Sequence, residues 1–238
     1  MDPFLLGVVV TVGACVQWLT GMGFALVAVP ALVLLLGPSQ GVALANCAAG
    51  AISAVGLAGG RQRVRLRAMV PLVTASVCAV PAGTWVAARL PLPALLVGMG
   101  LVVTLAVLLA LRGLRMPALI GTRGAVTAGA AGGFMNASAG LGGPPLSLYA
   151  MNAGWSVHEF VPNAQFYGIV VNAFSLAANG VPRLGPTGWV TAVAAMITGG
   201  LIGKLLSDRV PESRARQLVL LLALAGGLSA LAKGLAGL

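Results

Sequence analysis

Apolar runs of about 18 residues or more recur along the whole chain, and runs of that length are typical of helices that cross a lipid bilayer. Only 8% of the 238 residues are charged, and 59% are hydrophobic. A soluble domain of this size would need far more charge to cover its surface. The sequence therefore predicts an all-α polytopic membrane protein with no separate soluble domain.

The charge balance is strongly basic, with 14 Lys and Arg against four Asp and Glu and a formal net charge of +10. In a soluble chain that balance would suggest nucleic acid. Here the cations lie at the ends of apolar runs, where they set topology and contact lipid headgroups. We therefore expect membrane lipids as partners and no nucleic acid.

Side chains that support catalysis or bind metals are scarce. His158 is the single histidine, and the four carboxylates lie at or near the ends of apolar runs. The three cysteines, Cys15, Cys47 and Cys78, have no CxxC spacing. Because no catalytic pair or metal cage can be assembled from this inventory, we expect no enzyme activity, no cofactor and no metal site.

Two glycine-rich breaks interrupt the apolar pattern, GMGFALVAVP at residues 21–30 and GLGGPPLSLY at residues 140–149. They are offset by 119 residues, and at the same offset residue 17 matches 136, residue 46 matches 165 and residue 53 matches 172. Matching interruptions of this kind indicate a duplicated transporter with broken helices. The sequence predicts two homologous halves, residues 1–119 and 120–238, within one transmembrane domain.

Each half is predicted to hold one broken segment followed by three spans. The broken segments cover residues 4–36 and 124–155, and the spans cover residues 42–59, 68–88, 92–111, 160–178, 188–206 and 215–235. If each broken segment crosses once, the halves are parallel and the cations divide nine to five between the two faces. If each re-enters as a hairpin, the halves are inverted and the division becomes eleven to three. The positive-inside rule favours the inverted arrangement.

The breaks also predict the site. Glycine admits left-handed backbone angles and close approach of a ligand, and prolines such as Pro144 and Pro145 suit the first turn of a helix. A helix that begins at each break would point its N-terminus at the membrane centre, where free N–H groups and the helix dipole favour an anion. No cationic side chain lies deep in a span, so an anion would rely on dipoles and neutral donors.

Neutral polar residues surround the breaks. Asn46 and Ser53 lie seven residues apart, on one helix face, and Gln165 and Asn172 repeat that spacing. Hydrogen bonds between packed helices are the alternative role for such amides. The predicted substrate-binding residues are Gln17, Thr20, Gly21, Gly23, Asn46, Asn136, Ser138, Gly140, Gly142, Gly143, Pro144, Pro145, Tyr149, Gln165 and Asn172.

The chain resembles the TauE/SafE family of sulfite and organosulfonate exporters. The resemblance rests on GMGFALVAVPAL, on GLGGPPLSLY, and on the repeat PAGTWVAARLPLPALLVGMG against TGGLIGKLLSDRVPESRARQL. It implies a permease of the bacterial inner membrane for small sulfur-containing anions such as sulfite, sulfoacetate or isethionate. It also implies a central site at Gly21, Gly23, Gly140, Gly142, Gly143, Pro144 and Pro145, although the first break lacks the double proline of the second.

Other functions stay open from sequence alone. A permease for another small polar solute or a cation would use the carbonyl ends of the broken helices, and a membrane assembly subunit would bind no solute. Glu159 leaves proton coupling open, and a homo-oligomer is one of the open oligomeric states.

Overall fold

The computed structural model describes residues 2–59, 64–112, 120–207, 209 and 212–237. This part of the chain is almost entirely helical and contains no strand, which confirms the predicted all-α class. Ten helices follow one another along it: α1 (Pro3–Thr20), α2 (Phe24–Leu36), α3 (Pro38–Gly59), α4 (Leu66–Ala87), α5 (Leu92–Arg112), α6 (Gly121–Ala139), α7 (Gly143–Asn152), α8 (Val157–Asn179), α9 (Pro186–Ser207) and α10 (Glu212–Ala236).

Several of these helices could cross a bilayer. Within the described residues, five are long and apolar enough by length and composition: Pro3–Thr20, Pro38–Ala58, Leu66–Ala87, Leu92–Leu109 and Pro186–Leu206. The helix α8 does not belong to this group, because it carries Asn163, Gln165 and Asn172 among its apolar residues. The chain is therefore a multi-pass membrane protein, as its sequence predicts.

The observed helices begin and end within a few residues of the predicted spans. The largest difference is at α3, which begins at Pro38 instead of residue 42, because proline suits the first turn and the polar residues after it continue the helix. The predicted linkers at residues 61–67 and 112–123 lie partly outside the described residues. The predicted boundary after residue 119 falls at the end of the second undescribed stretch, residues 113–119.

Both α1 and α6 end at a glycine in the left-handed conformation. Gly21 has φ 74° and its N–H donates to the carbonyl of Gln17 at 2.8 Å, while Gly140 has φ 69° and its N–H donates to the carbonyl of Asn136 at 2.8 Å. A side chain is strained at such angles, so glycine ends these helices at low cost. A new helix, α2 or α7, begins within three residues of each glycine.

Close contact between helices builds the bundle. The helices pack mainly in the pairs α4 with α6, α1 with α9, α5 with α10, and α3 with α8. In the first pair, Gly129 and Gly133 lie directly against the carbonyl groups of Leu72 and Ser76. These glycines let two backbones approach each other, which is the usual way in which membrane helices associate.

The contacts also give the relative direction of the helices. Gly7 lies beside Thr191 and Gly203 lies beside Cys15, so α1 and α9 run in the same direction. The helices α3 and α8 run in opposite directions, because Gln40 accepts a hydrogen bond from the backbone of Arg183 at one end of the pair. At the other end, Arg65 follows α3 and pairs with Glu159 in the first turn of α8.

Two clusters of buried apolar side chains fill the interior. One is formed mainly by α1, α2, α3 and α5, and it includes Phe24, Leu32 and Leu44. The other is formed by α4, α6, α7 and α8, and it includes Leu72 and Tyr167. Both clusters adjoin the glycine breaks and hold them in place.

Candidate functional site

A small cavity lies between the two glycine breaks and is here named the inter-break cavity. Its volume is about 60 Å³. A cavity holds one water molecule when it offers about 10–15 Å³ by the same measure, so this one can take a group of several non-hydrogen atoms. Nine of the fifteen predicted site residues line it: Gln17, Gly21, Gly23, Asn136, Gly140, Gly142, Gly143, Pro144 and Asn172.

Gln17 fixes the cavity wall on the side of the first break. Its side chain is 5% exposed, and Nε2 donates to Ser53 Oγ at 3.0 Å and to the carbonyl of Ala49 at 3.0 Å. Both partners belong to α3 and also line the cavity. The amide therefore joins the last turn of α1 to α3.

Asn136 fills the matching position at the second break. Its Nδ2 donates to Asn172 Oδ1 at 3.0 Å and to Ser175 Oγ at 2.9 Å, both on α8. Its Oδ1 accepts from the backbone N–H of Gly142 at 3.2 Å. One buried side chain thus joins α6 to α8 and also sets the path of the chain into α7.

Two helix N-termini adjoin the cavity. Phe24, Ala25 and Leu26 of the first turn of α2 line it, as do Gly142, the N-cap of α7, and Gly143, its first residue. Both N-cap residues, Gly23 and Gly142, are glycines without a side chain. In α7 the Gly142 N–H already donates to Asn136 Oδ1, and Pro144 and Pro145 have no N–H, so α7 offers fewer free N–H groups than α2 does. The first-turn N–H groups of a helix have no partner within the helix, and each N-terminus carries roughly half a positive charge. The cavity is thus electropositive at two of its walls.

Charged side chains do not contribute to the lining of the inter-break cavity. Among the described residues that line the cavity there is no Lys, Arg, His, Asp or Glu. Elsewhere in the part of the chain that the structure describes, no group of three or more His, Cys, Asp or Glu could hold a metal ion. The cavity can therefore select charge only through backbone dipoles and neutral hydrogen-bond donors.

Tyr167 lines the cavity, and its hydroxyl is held by Ser76. Its side chain is 2% exposed, and its oxygen lies 3.0 Å from Ser76 Oγ on α4. The Ser76 hydroxyl also lies within hydrogen-bond distance of the carbonyl groups of Leu72 and Gly129. These contacts fix the ring against α4 and α6 and leave the tyrosine at the cavity.

Six predicted site residues do not line the cavity. Thr20 and Ser138 bond to carbonyl groups of their own helices, at Val16 (2.8 Å) and Phe134 (2.8 Å). Hydroxyl groups in helices often satisfy themselves four residues back. These two residues belong to the ends of α1 and α6 but turn away from the cavity.

The other four predicted site residues pack against neighbouring residues outside the cavity. Tyr149 packs edge-on against Trp155, with ring centroids 5.6 Å apart, and Pro145 is buried in the first turn of α7. Gln165 lies against Gly56 on α3. Asn46 is 1% exposed, and its Oδ1 lies 3.8 Å from the point where a Cβ of Gly140 would stand.

Sequence reasoning left several lining residues out of the predicted site. They are mostly apolar or small, apart from two serines and the tyrosine: Met22, Phe24, Ala25, Leu26, Ala49, Ser53, Leu141, Ser147, Ala164, Tyr167, Gly168 and Val171. Ser53 already stands out in the sequence as a polar residue that shares a helix face with Asn46 and matches Asn172 at the 119-residue offset, and it belongs in the site.

Glu159 lies away from the cavity, near the start of α8. It forms a capping box with Ser156 and an ion pair with Arg65. The hydrogen bond from the Ser156 backbone is the main cause that lowers the pKa of this carboxyl. Desolvation opposes it, and the charge of Arg65 lowers the pKa further. Among the described residues, its contacts are those of a helix cap and a surface ion pair.

Comparison with known proteins supports one assignment. A family model described as "Sulfite exporter TauE/SafE" matches residues 5–230, which is nearly the whole chain. No curated protein and no solved structure matches the chain.

Proposed function

The chain belongs to the TauE/SafE sulfite exporter family of membrane transporters, and we propose that it carries small sulfur-containing anions through the inter-break cavity. The substrates are sulfite or organosulfonates such as sulfoacetate and isethionate. The membrane is the bacterial inner membrane.

The observation that carries this proposal is the meeting of two helix N-termini at a cavity whose described lining holds no charged side chain. Free N–H groups and helix dipoles bind oxyanions. A site without a fixed cation binds an anion weakly enough to release it, which a transporter needs at each cycle. The volume of about 60 Å³ suits an anion with few non-hydrogen atoms.

The alternative of a cationic solute would need free carbonyl groups at the C-terminal ends of α1 and α6. Several of these groups already accept hydrogen bonds. Gln17 and Asn136 accept from the two glycine N–H groups, Met135 accepts from Leu141, and Ala137 accepts from Asn179 Nδ2 at 2.8 Å. The carbonyl ends are therefore less available than the start of α2, where Phe24, Ala25 and Leu26 all carry an N–H without a partner in the helix, and this favours an anion.

An inverted arrangement of the halves is part of the proposal. At the 119-residue offset α3 corresponds to α8 and α5 corresponds to α10, and the contacts place each pair antiparallel. Equivalent helices that run in opposite directions are the expected result of inverted repeats. In this arrangement each broken segment re-enters, and the breaks approach each other from opposite faces near the bilayer midplane.

The charge distribution orients this arrangement. Eleven of the 14 Lys and Arg then lie on the face that contains Arg65 and Arg123, and three lie on the face that contains Arg89 and Arg183. The positive-inside rule makes the first face cytoplasmic. For six of these cations the structure does not describe the side chain: Arg61, Arg63, Arg112, Arg115, Arg214 and Arg216.

Export of an anion needs no coupling ion in this scheme. With the cell interior negative, outward movement of one negative charge gains about 2.3 kcal/mol per 100 mV. Glu159, the carboxylate that left proton coupling open, is held in a capping box and an ion pair outside the cavity. We therefore propose electrogenic export of the anion alone.

Sulfite flux in proteoliposomes tests the proposal, with Gly142→Val as the decisive variant. A Cβ at Gly142 would lie 2.8 Å from Asn136 Oδ1 and 2.9 Å from Asn136 Cβ, so the larger side chain displaces the helix start that forms the site. Gly98→Val is the matched control, because a Cβ there meets nothing within 4 Å. We expect flux to fall to background in the first variant and to persist in the second. Wild-type flux through folded Gly142→Val protein would refute the site.

A further inference from the structure

The connection between α1 and α2 consists of Gly21, Met22 and Gly23, so Met22 supplies its one side chain. Gly21 caps the end of α1, and Gly23 is the N-cap of α2. Met22 lines the inter-break cavity and is half-buried. Its side chain therefore begins directly beside the helix start that offers the most free N–H groups to the cavity.

The side chain of Met22 reaches the other helix start. Its Sδ lies 2.8 Å, and its Cγ 3.2 Å, from the point where a Cβ of Gly143, the first residue of α7, would stand. The hydroxyl of Ser147, one turn further along α7, lies 4.0 Å from the same sulfur, which is a weak acceptor. Met22 therefore spans the gap between the start of α2 and the start of α7.

The buried polar side chains of the cavity meet at a different place, beside Gly168 of α8. A Cβ there would lie 2.8 Å from Ser53 Oγ and 3.8 Å from Asn172 Nδ2, and these two residues bond to the amides that precede the two breaks. Ser53 is 3% exposed and Asn172 is 6% exposed, whereas Met22 and Ser147 are half-buried. A ligand that extends from the buried polar group into the more accessible part of the cavity therefore meets the Met22 thioether.

The space left beside Met22 is small. The cavity of about 60 Å³ holds a few water molecules by the measure used above, which suits sulfite or a sulfonate with a very short carbon chain. Isethionate and sulfoacetate carry a longer chain that ends in a second polar group. Methionine is unbranched and adaptable, so this residue can limit the space in the cavity without closing it rigidly.

We propose that Met22 sets the upper size of the anion that the inter-break cavity accepts, because its thioether fills the gap in which the organic part of a larger sulfonate would lie. The inference rests on the proposed function. It narrows the preferred substrates of the wild type to sulfite and the shortest sulfonates. A packing role alone is the other explanation, since Met22 also contacts the second apolar cluster, and it predicts a lower Tm with no change in the accepted size.

A series of straight-chain alkanesulfonates, each one methylene longer than the last, tests the size limit. Thermal shift is measured on purified protein in detergent with sulfite and with each sulfonate from methanesulfonate upward, because a ligand that binds only the folded state raises Tm. In the wild type the rise in Tm should vanish after the shortest chains. In Met22→Ala the affinity for the first sulfonate that the wild type rejects should increase about tenfold or more, the usual discrimination for one methylene in a tight pocket.

Met151→Ala is the matched control. Met151 is also a half-buried methionine, near the end of α7, but it does not line the cavity. This variant should keep the chain-length limit of the wild type, even where its Tm without ligand falls. Met22→Leu nearly conserves volume and should keep the limit as well. Met22→Val should change it in the same direction as alanine but by less, which preserves the test if the alanine variant does not fold.

The outcomes separate the size limit from the proposed function. Binding of sulfite with an unchanged chain-length limit in Met22→Ala and Met22→Val would overturn the role of Met22 and leave the proposed function standing. An equal gain in Met151→Ala would assign the effect to general loosening and would also overturn that role. If neither sulfite nor any alkanesulfonate stabilises the wild type or a Met22 variant, the proposed function fails and the size limit fails with it.

Discussion

The amide of Asn136 donates to the amide oxygen of Asn172 across 3.0 Å, and the two residues lie 36 positions apart in the chain. In the first half, Gln17 donates to Ser53 across 3.0 Å with the same separation. The same type of contact thus joins the helix before each break to the second helix after that break, α1 to α3 and α6 to α8. Two unlike pairs of residues with one geometry are what the proposed duplication of the chain would produce.

Asn136→Asp tests the charge preference of the inter-break cavity. Aspartate keeps an acceptor for the Gly142 N–H but replaces the Nδ2 donor and adds a negative charge beside the bound anion. We expect the Kd for sulfite to rise about tenfold or more, as measured by titration calorimetry in detergent. Asn152→Asp, at the end of α7 and outside the cavity lining, is the control and should bind as the wild type does. Unchanged affinity for sulfite in Asn136→Asp would show that the inter-break cavity does not select its ligand by charge.

Gly133→Ala tests the packing of α6 on α4. The added methyl group would overlap the carbonyl group of Ser76, which is backbone and cannot turn aside. We expect unfolding to become easier by about 1–3 kcal/mol, measured by thermal or denaturant unfolding in detergent micelles. Gly98→Ala, where the methyl group meets nothing within 4 Å, should stabilise by about 0.5–1 kcal/mol. Equal stability of the two variants would contradict the close contact.

The ion pair of Glu159 predicts a pH dependence of stability. Folding lowers the pKa of this carboxyl below its ordinary value of 4.5, first through the Ser156 backbone hydrogen bond and then through Arg65. A lowered pKa gives stability that is present above pH 4.5 and is lost as pH falls through the pKa of the folded state. Glu159→Gln should therefore have a lower Tm than the wild type at pH 7.

The difference between Glu159→Gln and the wild type should vanish as the pH falls below 4.5. In Arg65→Met, which keeps the Ser156 hydrogen bond, the wild-type pH dependence should shrink and not disappear. A Tm difference that is constant from pH 7 to below pH 4 would contradict the ionised state of Glu159.

Comparison of Tyr167→Phe with Ser76→Ala tests whether the Tyr167 hydroxyl binds the substrate or only supports the fold. Each variant breaks the same 3.0 Å contact, and each should lose about 0.5–1.5 kcal/mol of stability. Only Tyr167 lines the inter-break cavity, so only Tyr167→Phe should also weaken sulfite binding. An equal loss of affinity in both variants would mean that the tyrosine acts through packing alone.

Most of the helical architecture could be predicted from sequence. Apolar runs mark the helices because the bilayer requires every backbone group to bond within its own segment. The glycine pairs predict the ends of α1 and α6, where the left-handed angles of Gly21 and Gly140 suit glycine above other residues. The amides at the breaks were also predictable, since polar groups in apolar segments are rare.

The inward or outward direction of single side chains could not be predicted. Thr20 and Ser138 flank the breaks, but each hydroxyl bonds to its own helix instead of facing the cavity. Periodicity gives the face of a helix, whereas the rotation of that face toward a neighbour depends on packing. Ala49, Ala164 and Gly168 line the cavity for the same reason, and nothing in their local sequence distinguishes them from other small residues.

The central claim is that backbone dipoles give the inter-break cavity its preference for negative charge. Thermal shift of the purified wild type with methanesulfonate and with methanesulfonamide, a neutral molecule of nearly the same shape, tests it most directly. A ligand that binds only the folded state raises Tm as its concentration rises. The account predicts a concentration-dependent rise with methanesulfonate and no rise with methanesulfonamide. Equal stabilisation by the neutral compound, or none by either, would contradict it.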